Sequence, residues 1–315
     1  MASKGLMIAG LASGSGKTMI TLGLLRALAR RGKAPAAGKT GPDYIDSGFL
    51  SAAAGRKAVN LDQIAMSKPL LARLAADQAG DTLIIEGVMG LFDGASGNAG
   101  SSAALAEALD IPVILVMDIC HTAQTAAMIA AGIASLLPAG RIAGVILNHV
   151  ASPRHLALVS EALAAHQISL FGSVPSRDGL ALPSRHLGLV QAADFDNAGL
   201  EVILDHAADL IDEYCDLDAI LDAAQKLPAA DKALAALPLP LTDPTAMKPP
   251  AKAIAVANDA AFGFAYHHLL AGWQQQGAEI WTFSPLNDEK PADDADFIFL
   301  PGGYPELHLP TLSTN

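Results

Sequence analysis

The stretch GLASGSGKT, residues 10–18, restricts what this chain can fold into more than any other. It follows a short apolar run, Leu6-Met7-Ile8-Ala9, and opens a run of helix formers from Met19 to Arg31. A strand, a glycine-rich turn and a helix N-terminus together make a cradle for phosphate. Gly10, Gly14 and Gly16, with Ser13 and Ser15 between them, let backbone N–H groups converge on anionic oxygens, and the helix dipole adds to the attraction. Lys17 can reach β/γ-phosphates and Thr18 can hold Mg²⁺, so ATP with Mg²⁺ is the expected ligand. The spacing is slightly irregular, because the usual pattern places its first glycine at Leu11 and this chain has it at Gly10. An ordinary Gly/Ser loop has no need of Gly-Lys-Thr at a strand-to-helix junction.

Composition narrows the class. A chain of 315 residues suggests two domains. With 20 basic against 32 acidic residues and a net charge of −12, nucleic acid and anionic membrane are not expected as partners. Two cysteines, Cys120 and Cys215, do not make a disulfide framework and fit a reducing compartment, so a cytoplasmic metabolic protein is expected. Apolar runs are broken by Asp118 or Pro138 before reaching the length of a membrane helix.

Along the chain, short apolar strands alternate with helices. Strands are predicted at Ala34 to Lys39, Thr82 to Gly87, Ile111 to Met117, Arg141 to Leu147 and Leu170 to Val174. Helices are predicted around Lys68 to Ala79, Thr122 to Leu137, Pro153 to His166, Glu201 to Cys215 and Leu217 to Gln225. This rhythm predicts an α/β fold of the phosphate-loop type, a mostly parallel sheet with helices on both faces and right-handed crossovers. In such a sheet ligands bind at the carboxyl ends of the strands. Asp43 and Asp46 leave one such end in KTGPDYID, and Glu86 ends another, where phosphate-loop enzymes present a metal-ordering acid. An isolated Gly-Pro-Asp serves turn geometry; the neighbouring phosphate loop shifts the balance here. Asp93 follows within VMGLFDG, whose glycines suit a loop that approaches a ligand closely. Asn148 ends the Arg141 strand where nucleotide-binding folds often recognise a base. Arg185 and His186, in LPSRHLGL, are weighed evenly between a ligand contact and simple packing.

Six prolines between Pro228 and Pro250 mark a linker, placed at 227–251 between a domain over 1–226 and a partial second domain over 252–315. Beyond it, Ala253 to Ala257, Glu279 to Phe283 and Phe297 to Leu300 read as strands, and Phe262 to Gln276 as a helix.

The set GLASGSGKT, KTGPDYIDSGF, EGVMGLFDG, LPSRHLGL, VANDAAFGFAYHHLL and LPGGYPELH, in that order, resembles the cobyrinic acid a,c-diamide synthase family over nearly the whole chain. The resemblance implies a synthetase domain followed by the start of a class I glutamine amidotransferase-like α/β domain. It implies ATP-dependent amidation of the a and c acetate groups of a corrinoid polycarboxylate through an acyl phosphate, with glutamine or ammonia as nitrogen donor. The motifs do not fix the oligomeric state, and a homodimer is one possible assembly. Lys17 then serves the phosphoryl group, Thr18 and Glu86 hold Mg²⁺ with Asp46 as a third candidate, and Asp43 and Asp93 position substrate or organise the loops. Ser47 and Leu50 stand where family patterns often have proline and histidine, which bears on outer substrate contacts.

The family's glutaminase needs a nucleophilic Cys on a sharp strand-to-helix turn and a distant His base. Neither Cys120 nor Cys215 qualifies; both read as buried or incidental, and His267, His268 and His308 as surface or packing residues. Gly302 and Gly303 match the family's oxyanion-hole segment. The chain stops just after PGGYPELH, as a piece of a longer protein would, and free ammonia is the expected donor. Cobyric acid synthase, a nickel-tetrapyrrole diamide synthase and dethiobiotin synthetase are the neighbouring alternatives; PGGYPELH counts against the last. A partitioning or septum-positioning ATPase switch would carry a second lysine where this chain has Ala12.

Overall fold

The computed structural model describes residues 4–78, 80–176, 197–228 and 247–315. The chain divides into two compact units, Met1–Ala230 and Asp231–Asn315.

In the first unit seven strands are parallel: β1 (Lys4–Gly10), β2 (Pro35–Thr40), β3 (Val59–Leu61), β4 (Thr82–Glu86), β5 (Val113–Asp118), β6 (Ile142–Val150) and β7 (Leu170–Pro175). Their order is β3-β2-β4-β1-β5-β6-β7, and β8 (Gln225–Lys226) pairs antiparallel with the start of β1. Strand order therefore reverses around β1, which puts a crevice at its carboxyl end, where the phosphate loop begins. Register fixes what shares that edge: Glu86 lies level with Ile8 of β1 on one side and Lys39 of β2 on the other.

Alternation along β1 separates two cores. Leu6 and Ile8 pack with α1 (Lys17–Arg30), α2 (Tyr44–Ala54), α7 (Asn197–Tyr214) and α8 (Leu217–Ala223). Met7 and Ala9 pack with α3 (Lys68–Ala76), α4 (Ser102–Ala108), α5 (Thr125–Leu136) and α6 (Pro153–Ala165). The sheet is thus buried on both faces, which is why its strands are mostly apolar, with polar residues such as Lys39, Glu86 and Asn148 gathered toward their carboxyl ends. The expected α/β architecture is the observed one.

α1 and α7 lie so close that a Cβ on Gly23 would sit 2.5 Å from the Ala207 carbonyl oxygen. Arg26 reaches Glu201 and Asp205, Arg30 reaches Asp209 and Arg31 reaches Asp212. Exposed pairs of this kind each contribute at most about 1 kcal/mol, so the register of the two helices rests on the glycine. Gly23→Ala is expected to cost about 1–3 kcal/mol through overpacking; urea unfolding of the variant checks it.

Two helices add to the sequence reading and one helix bound is revised. KTGPDYID runs into α2 and not merely a turn, because the Asp43 carboxylate caps it by accepting from the Ile45 and Asp46 N–H groups. The glycine-rich stretch after Asp93 leads into a helix the sequence reading did not place, α4, capped by Ser101. Gln225 belongs to β8 and not to α8.

The second unit holds a three-stranded parallel sheet in the order β10-β9-β11, from β9 (Ala253–Ala257), β10 (Glu279–Phe283) and β11 (Phe297–Phe299). Helix α9 (His267–Gln275) buries Trp273 against Ile254 and Val256, and the short α10 (Leu309–Leu312) follows a 3₁₀ turn. α9 begins five residues later than expected from Phe262. Phe264 donates its N–H to the Gly302 carbonyl (2.8 Å), and the Asp259 carboxylate claims the N–H groups of Ala261 and Phe262. Gly303 packs under the Ala261 carbonyl, where a Cβ would come within 2.0 Å of the oxygen.

Candidate active site

The phosphate loop is shaped by close contacts at Gly10 and Gly16 and by left-handed backbone at Gly14 and Gly16. A Cβ on Gly10 would fall 2.1 Å from Ser15 Oγ and 3.0 Å from Lys17 Cδ, which explains the shifted first glycine. Gly14 and Gly16 have φ of 79° and 93°, a region costly to other residues. Gly16 also lies under Asn148, and a Cβ there would meet its Nδ2 at 2.2 Å. Lys17 Nζ donates to the Ala12 carbonyl at 2.9 Å, tying the loop into a ring. Ser13 is exposed at the loop crown, while Ser15 Oγ is buried with no hydrogen-bond partner among the described residues.

Asn148, at the carboxyl end of β6, donates its Nδ2 to the Ser15 carbonyl at 3.1 Å. Its amide braces the loop, a role that sequence spacing did not suggest beside the expected base contact. Asp93 accepts from the Gly90 N–H at 2.8 Å, and Gly90 packs against the Leu11 carbonyl. Leu91 N donates to the Gly10 carbonyl. The VMGLFDG loop is therefore fastened to the phosphate loop, and Asp93 organises that junction.

The acids converge on a lysine that sequence reading passed over. Lys39 Nζ lies 3.0 Å from Glu86 Oε1 and 3.4 Å from Asp43 Oδ2, and it also hydrogen-bonds Asp46 Oδ2. Its side chain is 3% exposed and that of Glu86 1%. Glu86 Oε1 accepts a second hydrogen bond, from Thr18 Oγ1 at 2.7 Å, so phosphate loop, β2 and β4 meet at one carboxylate. Behind them Asn60 holds the turn: its Nδ2 donates to the Gly41 and Asp43 carbonyls, and its Oδ1 accepts from Ser47 Oγ. Asn60 was also missed, because a single amide in a three-residue strand carries no pattern.

Electrostatics follow from this crowding. Burial drives the Lys39 ammonium toward its neutral form, but Glu86, Asp46 and Asp43 outweigh it and hold the group well above its usual range. Asp46 is pushed up to about 7, first by burial and then by Glu86 and Asp43, against the pull of Lys39. Burial also raises Asp43, yet Lys39 and the α2 N–H groups prevail and keep it low. Lys17 is lowered, mainly by burial, while Glu86, Asp46 and Asp93 oppose the shift.

A carboxyl raised in the folded state holds a proton that the unfolded chain releases near pH 4, so its contribution to stability fades as pH climbs toward about 7. Nucleotide-free Asp46→Asn, which cannot ionise there, is expected to gain on the wild type by a few degrees in Tm between about pH 5 and 8. Parallel thermal melts across that range check the sign.

Among the described residues no three His, Cys, Asp or Glu side chains are placed to hold a metal by themselves. Mg²⁺ does not need such a set, since it takes one or two carboxylates and completes its octahedron with phosphate oxygens and water. Among the described residues Glu86 Oε2 is buried without a hydrogen-bond partner, while the Thr18 hydroxyl donates to Oε1 of the same carboxylate. That orphaned oxygen and hydroxyl fit the ion.

The CobQ/CobB/MinD/ParA nucleotide binding domain family matches residues 6–190. The chain is 48% identical to a hydrogenobyrinate a,c-diamide synthase of Rhizobium meliloti (strain 1021) over 311 residues, 98% of this chain and 70% of that protein. It is equally similar, at 48%, to proteins of that name from Brucella anthropi, over 98% of this chain and 70% of the relative, and from Rhodobacter capsulatus, over 97% and 68%. The chain belongs to the cobyrinic acid a,c-diamide synthase family. Family membership makes the first unit a nucleotide-binding domain, in line with its phosphate loop.

The family's glutaminase chemistry finds no nucleophile among the described residues. Cys120, expected to be buried or incidental, is exposed at the end of β5, and its hydrogen bond to the Asp118 carboxylate holds the thiol above its ordinary range. Cys215 packs against Gly172, and burial pushes it up to about 12. Neither is poised as a thiolate. Arg185, His186 and the core of the Pro-rich stretch lie outside the described residues. No described helix is long and apolar enough to cross a membrane.

Proposed function

We propose that this chain amidates the a and c acetate groups of hydrogenobyrinic acid, using ATP and Mg²⁺ at the β1/β2/β4 edge, with ammonia as the nitrogen it can use directly. The observation that carries the reading is the meeting of Thr18, Glu86, Lys39 and Asp46 beside the phosphate loop, in a chain 48% identical to hydrogenobyrinate a,c-diamide synthases. The shared name of those relatives favours the metal-free ring over its cobalt form.

A carboxylate is a poor electrophile, so the acetate must first become an acyl phosphate. The acetate oxygen attacks the γ-phosphorus, ADP leaves, ammonia adds to the acyl carbon, and phosphate departs as the amide forms. Phosphoryl transfer of this kind asks for alignment and charge neutralisation more than covalent help. The N–H groups of residues 14–18 align the phosphates and the Lys17 ammonium turns from Ala12 to the β/γ oxygens. When bound, Mg²⁺ neutralises those oxygens, held by Thr18 and Glu86 with Asp46 within reach. Asp43, by capping α2, and Asp93, by tying the neighbouring loop, set where the acetate arm enters. Asn148 keeps the loop rigid and lies where a base would rest.

The substrate is a large flat ring with an apolar body and a polar rim. Two exposed apolar side chains at the same sheet edge suit its face: Ile64, 73% exposed after β3, and Met89, 45% exposed after β4 at a φ of 48°. The domain limits at 226 and 252 belong to the same proposal, as do a homodimer and glutamine delivery by a complete amidotransferase unit. Incubation with hydrogenobyrinic acid, ATP, Mg²⁺ and ammonia should yield the diamide and ADP. Neither product forming with a folded protein would overturn the reading.

A further inference from the structure

Lys39 occupies a place that chemistry would otherwise give to a divalent cation. Around its ammonium stand Glu86 Oε1 at 3.0 Å, Asp43 Oδ2 at 3.4 Å and Asp46 Oδ2, with the Thr18 hydroxyl on the same Glu86 oxygen. Without that ammonium the clustered carboxylates would repel one another and draw a cation from solution toward the space it fills. A fixed positive charge in their midst changes this. It satisfies the carboxylates, repels an incoming cation and fills part of the space a metal would use. Among the described residues Glu86 Oε2, the oxygen that Lys39 does not touch, is buried without a hydrogen-bond partner and is left over for a metal.

We propose that Lys39 is a positioning residue, a resident counter-cation that makes metal binding at the Glu86 and Asp46 cluster conditional on nucleotide. A triphosphate in the loop brings negative charge and oxygen ligands of its own, which offset the repulsion from Lys39. Metal then enters as the nucleotide complex and not ahead of it. The same ammonium keeps the three carboxylates from repelling one another while the site waits. This rests on the reading of Glu86, Thr18 and Asp46 as the metal's holders, and it goes further by assigning the order in which the site fills.

The test is calorimetric titration of Mg²⁺ into nucleotide-free wild type, Lys39→Arg and Lys39→Met, and into wild type loaded with a non-hydrolysable ATP analogue. Lys39→Met is expected to bind Mg²⁺ alone at least about tenfold more tightly than wild type, because one nearby positive charge has been removed. Lys39→Arg, which keeps the charge, should resemble wild type. Wild type binding Mg²⁺ alone as tightly as Lys39→Met overturns the proposal. Should Lys39→Met fail to fold, Lys39→Gln takes its place with the same expectation, and tight uptake by wild type without nucleotide refutes the lysine's role. The analogue arm judges the metal-site reading separately, since failure of wild type to bind Mg²⁺ even with the analogue would remove that reading itself.

Discussion

Lys17→Ala is expected to lower amide formation by roughly 10³-fold or more while leaving the fold intact, the usual scale for removing a group that meets charge developing in the transition state. The side chain is buried, but among the described residues its hydrogen bond is to the Ala12 carbonyl of its own loop. Losing that bond costs only about 1 kcal/mol of stability. The effect should therefore appear in turnover and not in the melt. Steady-state amidation with saturating ammonia, set beside a thermal unfolding curve, separates the two. Retained turnover would mean that the loop anchors something other than the transferred phosphate.

Glu86→Gln is expected to have the next largest effect, about 10²–10³-fold in kcat. The amide keeps the shape of the carboxylate and can still accept from Thr18 and Lys39 through its oxygen. It presents an N–H₂ group or a neutral oxygen where Oε2 now stands unpartnered. A neutral group there cannot hold a hard cation well. The variant should accordingly show a raised Mg²⁺ requirement along with lowered kcat, whereas Lys17→Ala should not alter the Mg²⁺ requirement. Varying Mg²⁺ at fixed ATP tests that contrast; equal shifts in both variants would place the metal elsewhere.

The longer strands and most helices of the first unit were legible because burial on both sheet faces makes those strands largely apolar runs, bounded by glycine, proline or an acid. The phosphate loop was legible because Gly14 and Gly16 need left-handed backbone and Gly10 must clear Ser15, constraints visible as letters. α2 was harder to see, since its first turn is the same DYID that reads as a ligand loop. Only the capping role of Asp43, with Asp46 three residues on, marks a helix start. β3 and β8 are three and two residues long, too short for alternation to show.

In the site, Glu86 and the acids of the GPDYID turn were found, whereas the lysine joining them was not. A lysine at a strand end ordinarily reads as a solvated terminus. Only the parallel register, which sets Lys39 beside Glu86, turns it inward. Asn148 presents the reverse case: its place at a strand end was right, yet the partner of its amide, the Ser15 carbonyl, lies 133 residues away in sequence.

The central claim is that the γ-phosphate and a ring-borne acetate react directly at this edge, and isotope transfer tests it most directly. Hydrogenobyrinic acid labelled with ¹⁸O in its carboxylates is incubated with the protein, ATP, Mg²⁺ and ammonia, and the released phosphate is weighed. An acyl phosphate intermediate predicts one labelled oxygen in phosphate for each amide made. Amide formed with phosphate free of label would contradict the account.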